Sequence, residues 1–368
     1  MINKRTIYVS RLVDAENTNA QVLNTRAMLS RFSSDRITWC APHYHVADEE
    51  VSRRGNVRLH KLVNNGFWRC HSALLYQGSY DAVFYPGGEW FDSLGLLLRK
   101  LLRRRIPVIA TLEGLVGNFA REYEYSDWAG HHVYCQRVGR KTLARLDRLY
   151  HQADHVIAIS PFLAEMGRRR YGNKFSVLPL GIDTSVFHAE DKCGKNRRSI
   201  VVSAGNLGAG KRPEIFIELA RRHPTTDFVW YGGGDPELSA FREKTVMEGL
   251  SNLSFPGSVQ PLELAKAFRA ADLFVMPSMT EGVPKVTQEA AACGLAIVMF
   301  GHFEAPSVAN GVNGFVVWDD EEFYSHVSQL IQDSRLRLKM GSKAIEMSKD
   351  YSWDEIAPRW EKCILSSL

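Results

Sequence analysis

Short apolar runs alternate with stretches of helical periodicity along almost the whole chain. In the first half, residues 6–10, 37–41, 57–62, 82–85, 108–111 and 156–159 each have the length and composition of a short buried strand. Helical segments separate them, and strands that alternate with helices predict a parallel sheet with crossover connections. The alternation resumes at Ser199 and runs to about Val317. Between the halves, residues 188–198 (HAEDKCGKNRR) are polar, lack apolar periodicity and read as a linker. The tail YSWDEIAPRWEKCIL carries apolar residues at helical spacing, with Pro358 expected to kink the helix. The pattern predicts two α/β domains, at 1–190 and 198–350.

One stretch of the second half is sharper than the rest. DLFVMPSMTEGVPKVTQEAAACGLAIVMF (residues 272–300) opens with an apolar run at 273–276, suited to a buried parallel strand. A loop at 278–284 precedes a helical run at 285–293, Gly294 stands where a helix C-cap would, and 295–300 reads as the next strand. Glu281 lies on the loop and Glu289 eight residues later on the helix. A helix N-terminus offers unpaired N–H groups and partial positive charge, so the loop suits an anion such as a diphosphate. A carboxylate one or two turns into the helix is misplaced for phosphate but well placed to accept from paired hydroxyls, as on a ribose. The loop glutamate would meet a second polyol. An ordinary crossover with two solvated acids fits the spacing equally well.

Length and composition set the outer bounds. A chain of 368 residues with 45% hydrophobic content has room for two domains, each with its own core. Six cysteines, at 40, 70, 135, 193, 293 and 363, form no CxxC pair and no framework spacing, so a reducing, cytoplasmic setting is expected. Neither a signal peptide nor an apolar run long enough to span a bilayer is legible. The net charge of +5 suits an anionic ligand or an anionic membrane surface and does not indicate nucleic acid.

A near-motif comes after the first strand of the second half. GNLGAGKR (residues 205–212) nearly spells the P-loop pattern, but Arg212 stands where an NTPase needs a hydroxyl for Mg²⁺. Pro213 suits the first turn of a helix. The segment can still hold phosphate through its glycine amides and Lys211, without a metal.

The segment EGVPKVTQEAAACGLAIV resembles the signature of the retaining GT-B glycosyltransferases of family 4, the "group 1" family. ADHVIAISPFLAEMGRRRYG with VLPLGIDTSVF, VVSAGNLGAGKRPEIFIELA and FPGSVQPLELAKAFRAADLFVMPS fall in that family's order. The resemblance covers about 150–360 and is thin before that. It implies a GT-B fold, an α/β architecture of two Rossmann-like parallel-sheet domains facing a central cleft. The first domain would bind the acceptor and the second the donor, with a C-terminal helix, 352–368, crossing back onto the first.

Mechanistically, the resemblance implies a leaving nucleoside diphosphate stabilised by cationic side chains and helix-end amides, with the acceptor attacking on the face from which it departs. By its match to the family lysine, Lys211 serves the diphosphate, Glu281 the donor sugar and Glu289 the ribose. Gly205, Gly282, Val283, Pro284, Lys285 and Gly232 fall in the donor-binding segments, with 232–234 (YGGGDPE) as a strand-end turn. Three positions depart from the family. Asn206 stands where an arginine is usual, Pro284 removes an amide that Lys285 would offset, and Glu113, in TLEG, replaces a histidine that contacts the donor sugar. Glu113 fits equally the capping of the segment after it, and Asn206 fits a plain turn residue. His43 and His45 are candidates to replace the missing histidine, and surface histidines are the plainer reading.

Acceptor contacts are the least legible. Asn17 and Asn19, with Asp14 and Gln21, are polar enough to bind a sugar and fit equally a helix N-cap with polar neighbours. Gly87 and Gly88 (YPGGE) follow a strand at the edge where ligands collect in such folds. The run from Leu94 through Arg105, LGLLLRKLLRRR, reads as a basic amphipathic crossover helix or as a weak peripheral contact with an anionic leaflet.

The expectation is a glycosyltransferase that moves a sugar from a UDP- or GDP-sugar to a hydroxyl on a glycan, a lipid-linked or a small-molecule acceptor. Configuration is retained, no metal or other cofactor is required, and the enzyme is cytoplasmic, with the inner membrane face as a peripheral site. The alternatives are a GT-B nucleotide-sugar epimerase, which needs no acceptor, and a degenerate GT-B protein acting as a non-catalytic partner subunit.

Overall fold

Nearly every apolar run marked by the sequence is a strand in the computed structural model, which describes residues 6–9, 20–41, 55, 58–61, 80–86, 106–114, 125–128, 131–134, 140–190, 197–234 and 237–366. Contacts divide the chain into two units. The first comprises Met1–Glu122, Arg137–Gly181 and Trp353–Leu368, and the second Tyr123–Gln136 and Ile182–Ser352. The division falls at Gly181, before the polar stretch 188–198, because Ile182 already bonds within the second unit through its N–H to the Tyr351 carbonyl, at 2.7 Å.

Seven parallel strands make the sheet of the first unit. They are β1 (Thr6–Val9), β2 (Ile37–Ala41), β3 (Arg58–Lys61), β4 (Ala82–Tyr85), β5 (Val108–Leu112), β8 (His155–Ala158) and β9 (Phe175–Val177). Their order is β3-β2-β1-β4-β5-β8-β9. A separate antiparallel pair joins β6 (Tyr125–Trp128) to β7 (His131–Tyr134). Every residue of β4 and β5 is buried, as expected of central strands covered on both faces. The described helices among these strands are α1 (Ala20–Leu29), α2 (Arg140–Gln152) and α3 (Pro161–Tyr171). Ser160 caps α3 by accepting from the Leu163 N–H, and Pro161 occupies its first turn.

A C-terminal helix, Trp353–Ser366, also belongs to this unit. Trp353 and Trp360 are fully buried, and the Trp360 indole N–H donates to the Pro179 carbonyl at 2.9 Å. Glu361 accepts from the Ser33 N–H, the Ser33 hydroxyl and the Ser34 N–H. Pro358, where a kink was expected, lies inside this helix, which runs on to Ser366.

Six parallel strands form the sheet of the second unit: β10 (Ile200–Ala204), β11 (Asp227–Tyr231), β12 (Leu253–Gly257), β13 (Leu273–Met276), β14 (Ala296–Phe300) and β15 (Gly314–Val317). Their order is β12-β11-β10-β13-β14-β15. Alternate residues feed two cores. Leu273, Val275, Val298 and Phe300 join one, with α4 (Pro213–Arg222) and α8 (Asp320–Gln332); Phe274, Met276, Ile297 and Met299 join the other, with α6 (Pro261–Ala270) and α7 (Lys285–Ala292). Helix α5 (Glu237–Met247) precedes β12, α9 (Ser334–Ser348) follows α8, and the C-terminal helix is α10. Each unit is thus a Rossmann-like α/β domain. In the second, the chain builds outward from β10 to β12 and then returns to lay β13 on the other side of β10. The carboxyl ends of β10 and β13 therefore flank a topological switch point, where ligands collect in open α/β sheets.

Candidate functional site

Two loops meet at that switch point. The first leaves β10 at Gly205, whose φ of 146° a side chain would rarely adopt, and passes through Asn206 to a 3₁₀ turn at Ala209–Lys211. The second leaves β13 and runs to Pro284, which precedes α7. The Met279 N–H donates to the Gly210 carbonyl at 2.8 Å, and the Lys211 ammonium forms a short ion pair with the Glu281 carboxylate. Gly210 packs closely on the second loop, since a Cβ there would lie 3.2 Å from the Thr280 methyl, a tight contact. The expected residues Lys211, Glu281, Gly205, Gly282, Val283 and Pro284 are therefore on two joined loops, with Lys285 opening the helix after the second, although 70 residues separate Lys211 from Glu281.

Gly232 completes the floor from the end of β11. Its φ is 105°, and a Cβ would fall 2.5 Å from the Gly205 carbonyl oxygen, so only glycine lets the two strand ends approach. The Trp230 indole N–H also donates to that carbonyl, at 2.9 Å. Asn206 is exposed. It stands where the resemblance leads one to expect an arginine, so that position itself carries no positive charge, and Lys211 is the residue of this loop that pairs with Glu281.

Helix α7 starts at Lys285, and its first amides have no acceptor within the helix. Thr287 fastens the start, donating to the Pro284 carbonyl at 2.7 Å or pairing with the buried Ser307 hydroxyl at 2.9 Å. Glu289 lies one turn after Lys285. Burial pushes its carboxyl above the ordinary carboxylate range, and the Lys285 charge works against that rise. A carboxylate in this state gains from a ligand that brings hydroxyl donors to it. Gly294, with φ 77°, follows the C-cap residue Cys293, where the sequence placed the end of the helix.

Glu113 is elsewhere, at the end of β5 in the first unit. It accepts from the Thr111 hydroxyl at 3.1 Å, and most of the segment that it would cap, from residue 115 on, lies outside the described residues. The acceptor candidates Asn17, Asn19, Gly87 and Gly88 lie outside the described residues, as do Asp14, His43, His45 and the run from Leu94 through Arg105. Among the described residues, no group of three or more His, Cys, Asp and Glu side chains is arranged to hold a metal ion. None of the described helices is long and apolar enough to cross a membrane.

Sequence reasoning missed one feature of this site. Arg212, considered only as the wrong residue for an NTPase, forks onto Asp320 with two bonds of 2.8 and 2.7 Å. An acid in the first turn of a helix is common, so nothing in the sequence tied Asp320 to a residue 108 positions earlier.

Comparison with known proteins bears on the two domains and on the fold. The family model "Glycosyltransferase Family 4" matches residues 30–186, and "Glycosyl transferases group 1" matches residues 198–333. The chain is 27% identical over 227 residues to an alpha-galactosylglucosyldiacylglycerol synthase of Streptococcus pneumoniae, covering 57% of this chain and 60% of that protein. It is 31% identical over 182 residues to a D-inositol 3-phosphate glycosyltransferase of Corynebacterium efficiens, covering 46% and 42%. The chain thus spans about half the length of the curated relatives it matches. Among solved structures, HepE of Anabaena with UDP and glucose superposes with a TM-score of 0.74 at 17% identity, covering 99% of this chain and all of that one. A sucrose-phosphate synthase from Thermosynechococcus elongatus gives 0.74 at 16%, covering 99% and 98%. The fold is GT-B, and each half of the chain is a glycosyltransferase-type domain.

Proposed function

We propose that these two glycosyltransferase-type domains form an enzyme that transfers a sugar from a nucleoside-diphosphate donor to a hydroxyl acceptor with retention of configuration. The observation that carries the reading is the pairing of Lys211 with Glu281 across the switch point of the second unit, beside the start of α7. Lys211 and the α7 amides would take the charge that develops on the departing diphosphate, the preorganised stabilisation that such a step needs most. Glu281 would accept from the donor sugar's hydroxyls, and Glu289, raised by burial, from the ribose pair. With these groups the leaving diphosphate needs no metal, and UDP and GDP are the proposed nucleotides. UDP is present in the HepE structures named by their ligand. Glu113 belongs to the first unit, and its role at the sugar is proposed on its place in the chain alone.

For the acceptor, the names of the relatives point to a glycolipid or an inositol phosphate, and both offer a hydroxyl on a polar ring. A glycolipid acceptor would put the protein at the inner face of a membrane. One observation favours a second reading, a GT-B protein that has lost turnover and serves as a partner subunit. Asn206 puts a neutral side chain at the position where an arginine is expected.

A thermal-shift screen of UDP, GDP, ADP and CMP, with and without EDTA, on wild type and Glu289→Ala tests the donor site. A ligand specific to the folded state at a hundred times its Kd adds about 2.7 kcal/mol of stability. A shift by one nucleoside diphosphate, insensitive to EDTA and lost in Glu289→Ala, supports the reading. Release of free sugar or transfer to an added acceptor, with the product's anomeric form read by NMR, then separates the enzyme from the partner subunit.

A further inference from the structure

Among the described residues, Arg212 is the one residue other than glycine with a left-handed backbone, at φ 51° and ψ 54°. Two steric rules oppose that conformation here. A Cβ disfavours the region, and Pro213 drives its predecessor toward extended backbone. Backbone of this kind persists only where the surroundings over-determine it, and it concentrates at functional sites. Glycine would adopt it at no steric cost. The arginine makes no side-chain cap to the helix it precedes, so capping does not account for it.

Its side chain does something else. The guanidinium forks onto Asp320 in the first turn of α8, at 2.8 and 2.7 Å, and lies 5.3 Å from the centroid of the Phe300 ring at the end of β14. Its Nη1 is 3.3 Å from the Met279 sulfur, and its Nε is 3.4 Å from Glu214. Phe300 itself stacks on Phe323 of α8, with centroids 4.9 Å apart. Helices α4 and α8 feed the same core, so Arg212 bridges the starts of two helices on one face of the sheet, from the end of β10 past β14 to the end of β15.

Lys211 is the residue immediately before this bridge. The left-handed residue joins the 3₁₀ turn at Ala209–Lys211 directly to α4, so whatever holds Arg212 also holds the end of the turn that carries Lys211. Met279 closes the frame from the other loop, with its N–H on Gly210 and its sulfur against Arg212. We propose that the Arg212–Asp320 fork is a positioning pair: it holds the strained turn that aims Lys211 across the switch point, at Glu281 without ligand and at the donor's diphosphate with it. The ligand half of this inference rests on the donor site proposed above, whereas the placement of Lys211 does not.

The test uses Asp320→Asn, which keeps the shape of the acid, and Arg212→Gly, which removes the fork while relieving the backbone and so protects folding; circular dichroism confirms both. Acetylation of the ligand-free protein with an amine-reactive ester, read by mass spectrometry, reports the freedom of Lys211. In both variants the Lys211 rate is expected to rise about threefold or more while the exposed Lys339 and Lys343 stay unchanged. Calorimetry then compares whichever of UDP, GDP and ADP binds wild type with its monophosphate. Diphosphate affinity is expected to fall about tenfold and monophosphate affinity less than about twofold, with no further loss when Asp320→Asn is added to Lys211→Ala. An unchanged Lys211 rate overturns the proposal, as do equal losses for diphosphate and monophosphate. If wild type binds none of UDP, GDP and ADP, the donor reading fails, and the acetylation rates alone decide the positioning role.

Discussion

Glu281→Gln removes a charge and leaves the shape of the side chain, and the two ligands of the proposed site should respond in opposite directions. Without ligand, Glu281 holds the Lys211 ammonium, and the two side chains are only 14% and 24% exposed. Two charges about 4 Å apart at an effective dielectric constant of about 20 attract by about 4 kcal/mol, and desolvation cancels much of that. A net of about 1–2 kcal/mol remains for an incoming diphosphate to overcome, because it must take Lys211 from Glu281 and settle beside a carboxylate. Neutralising the carboxylate removes that opposition. Free nucleoside diphosphate should then bind roughly five- to thirty-fold more tightly to Glu281→Gln than to wild type. Transfer should move the other way, because hydrogen bonds from sugar hydroxyls to a charged acceptor contribute about 1.5–3 kcal/mol each, so that losing them slows transfer about ten- to a hundred-fold. Isothermal titration with UDP and GDP, paired with initial rates of sugar transfer, measures both arms. Weaker diphosphate binding in Glu281→Gln would refute the reasoning, since it would mean that the carboxylate does not compete for Lys211.

Other consequences can be measured on the same preparation. Because burial raises the Glu289 carboxyl above its ordinary value of 4.5, its ionisation costs stability as pH rises through the folded-state value. Glu289→Gln should therefore melt higher than wild type near pH 7 without ligand, with the gap closing below about pH 4.5 where both side chains are neutral, and a constant gap would count against it. Gly232→Ala places a Cβ 2.5 Å from the Gly205 carbonyl at a φ of 105°, and urea titration should show a loss of at least about 2 kcal/mol together with weakened diphosphate binding. Glu361→Ala strips the acceptor from two N–H groups and a hydroxyl at Ser33 and Ser34, which should cost about 2–3 kcal/mol and raise hydrogen exchange in α10 ahead of the rest of the first unit. Uniform exchange across that unit would contradict the docking role.

Much of the fold was legible because its strands are short and covered on both faces. A strand buried on both sides must be apolar throughout, so 273–276 and 82–85 stood out and form β13 and β4 with those boundaries. The end of α7 was legible because Gly294 takes a left-handed backbone that few other residues tolerate. The C-terminal helix was legible from its apolar spacing, and with Trp353 and Trp360 buried it continues past the hydrogen bond that Pro358 removes. For Glu113, the sequence left a cap and a ligand contact equally open, and the Thr111 hydroxyl that it accepts from is a contact that spacing does not encode.

The sequence by itself determined the class of architecture, two α/β halves with the second richer in signal, and it named the loop glutamate, the helix glutamate and the lysine as candidates. These are local facts, written in periodicity, turn residues and one extended motif. The tertiary structure alone decided which candidates meet. The strand order β11-β10-β13 brings the loops after β10 and β13 side by side, so that Lys211 reaches Glu281 and Gly232 closes on Gly205. It also paired Arg212 with Asp320 and bent the arginine into a backbone that its own side chain opposes. Strand order and ion pairing depend on contacts between residues far apart in the chain, and no local pattern encodes them, because the free energy that selects them is released only when the sheet and its helices pack together.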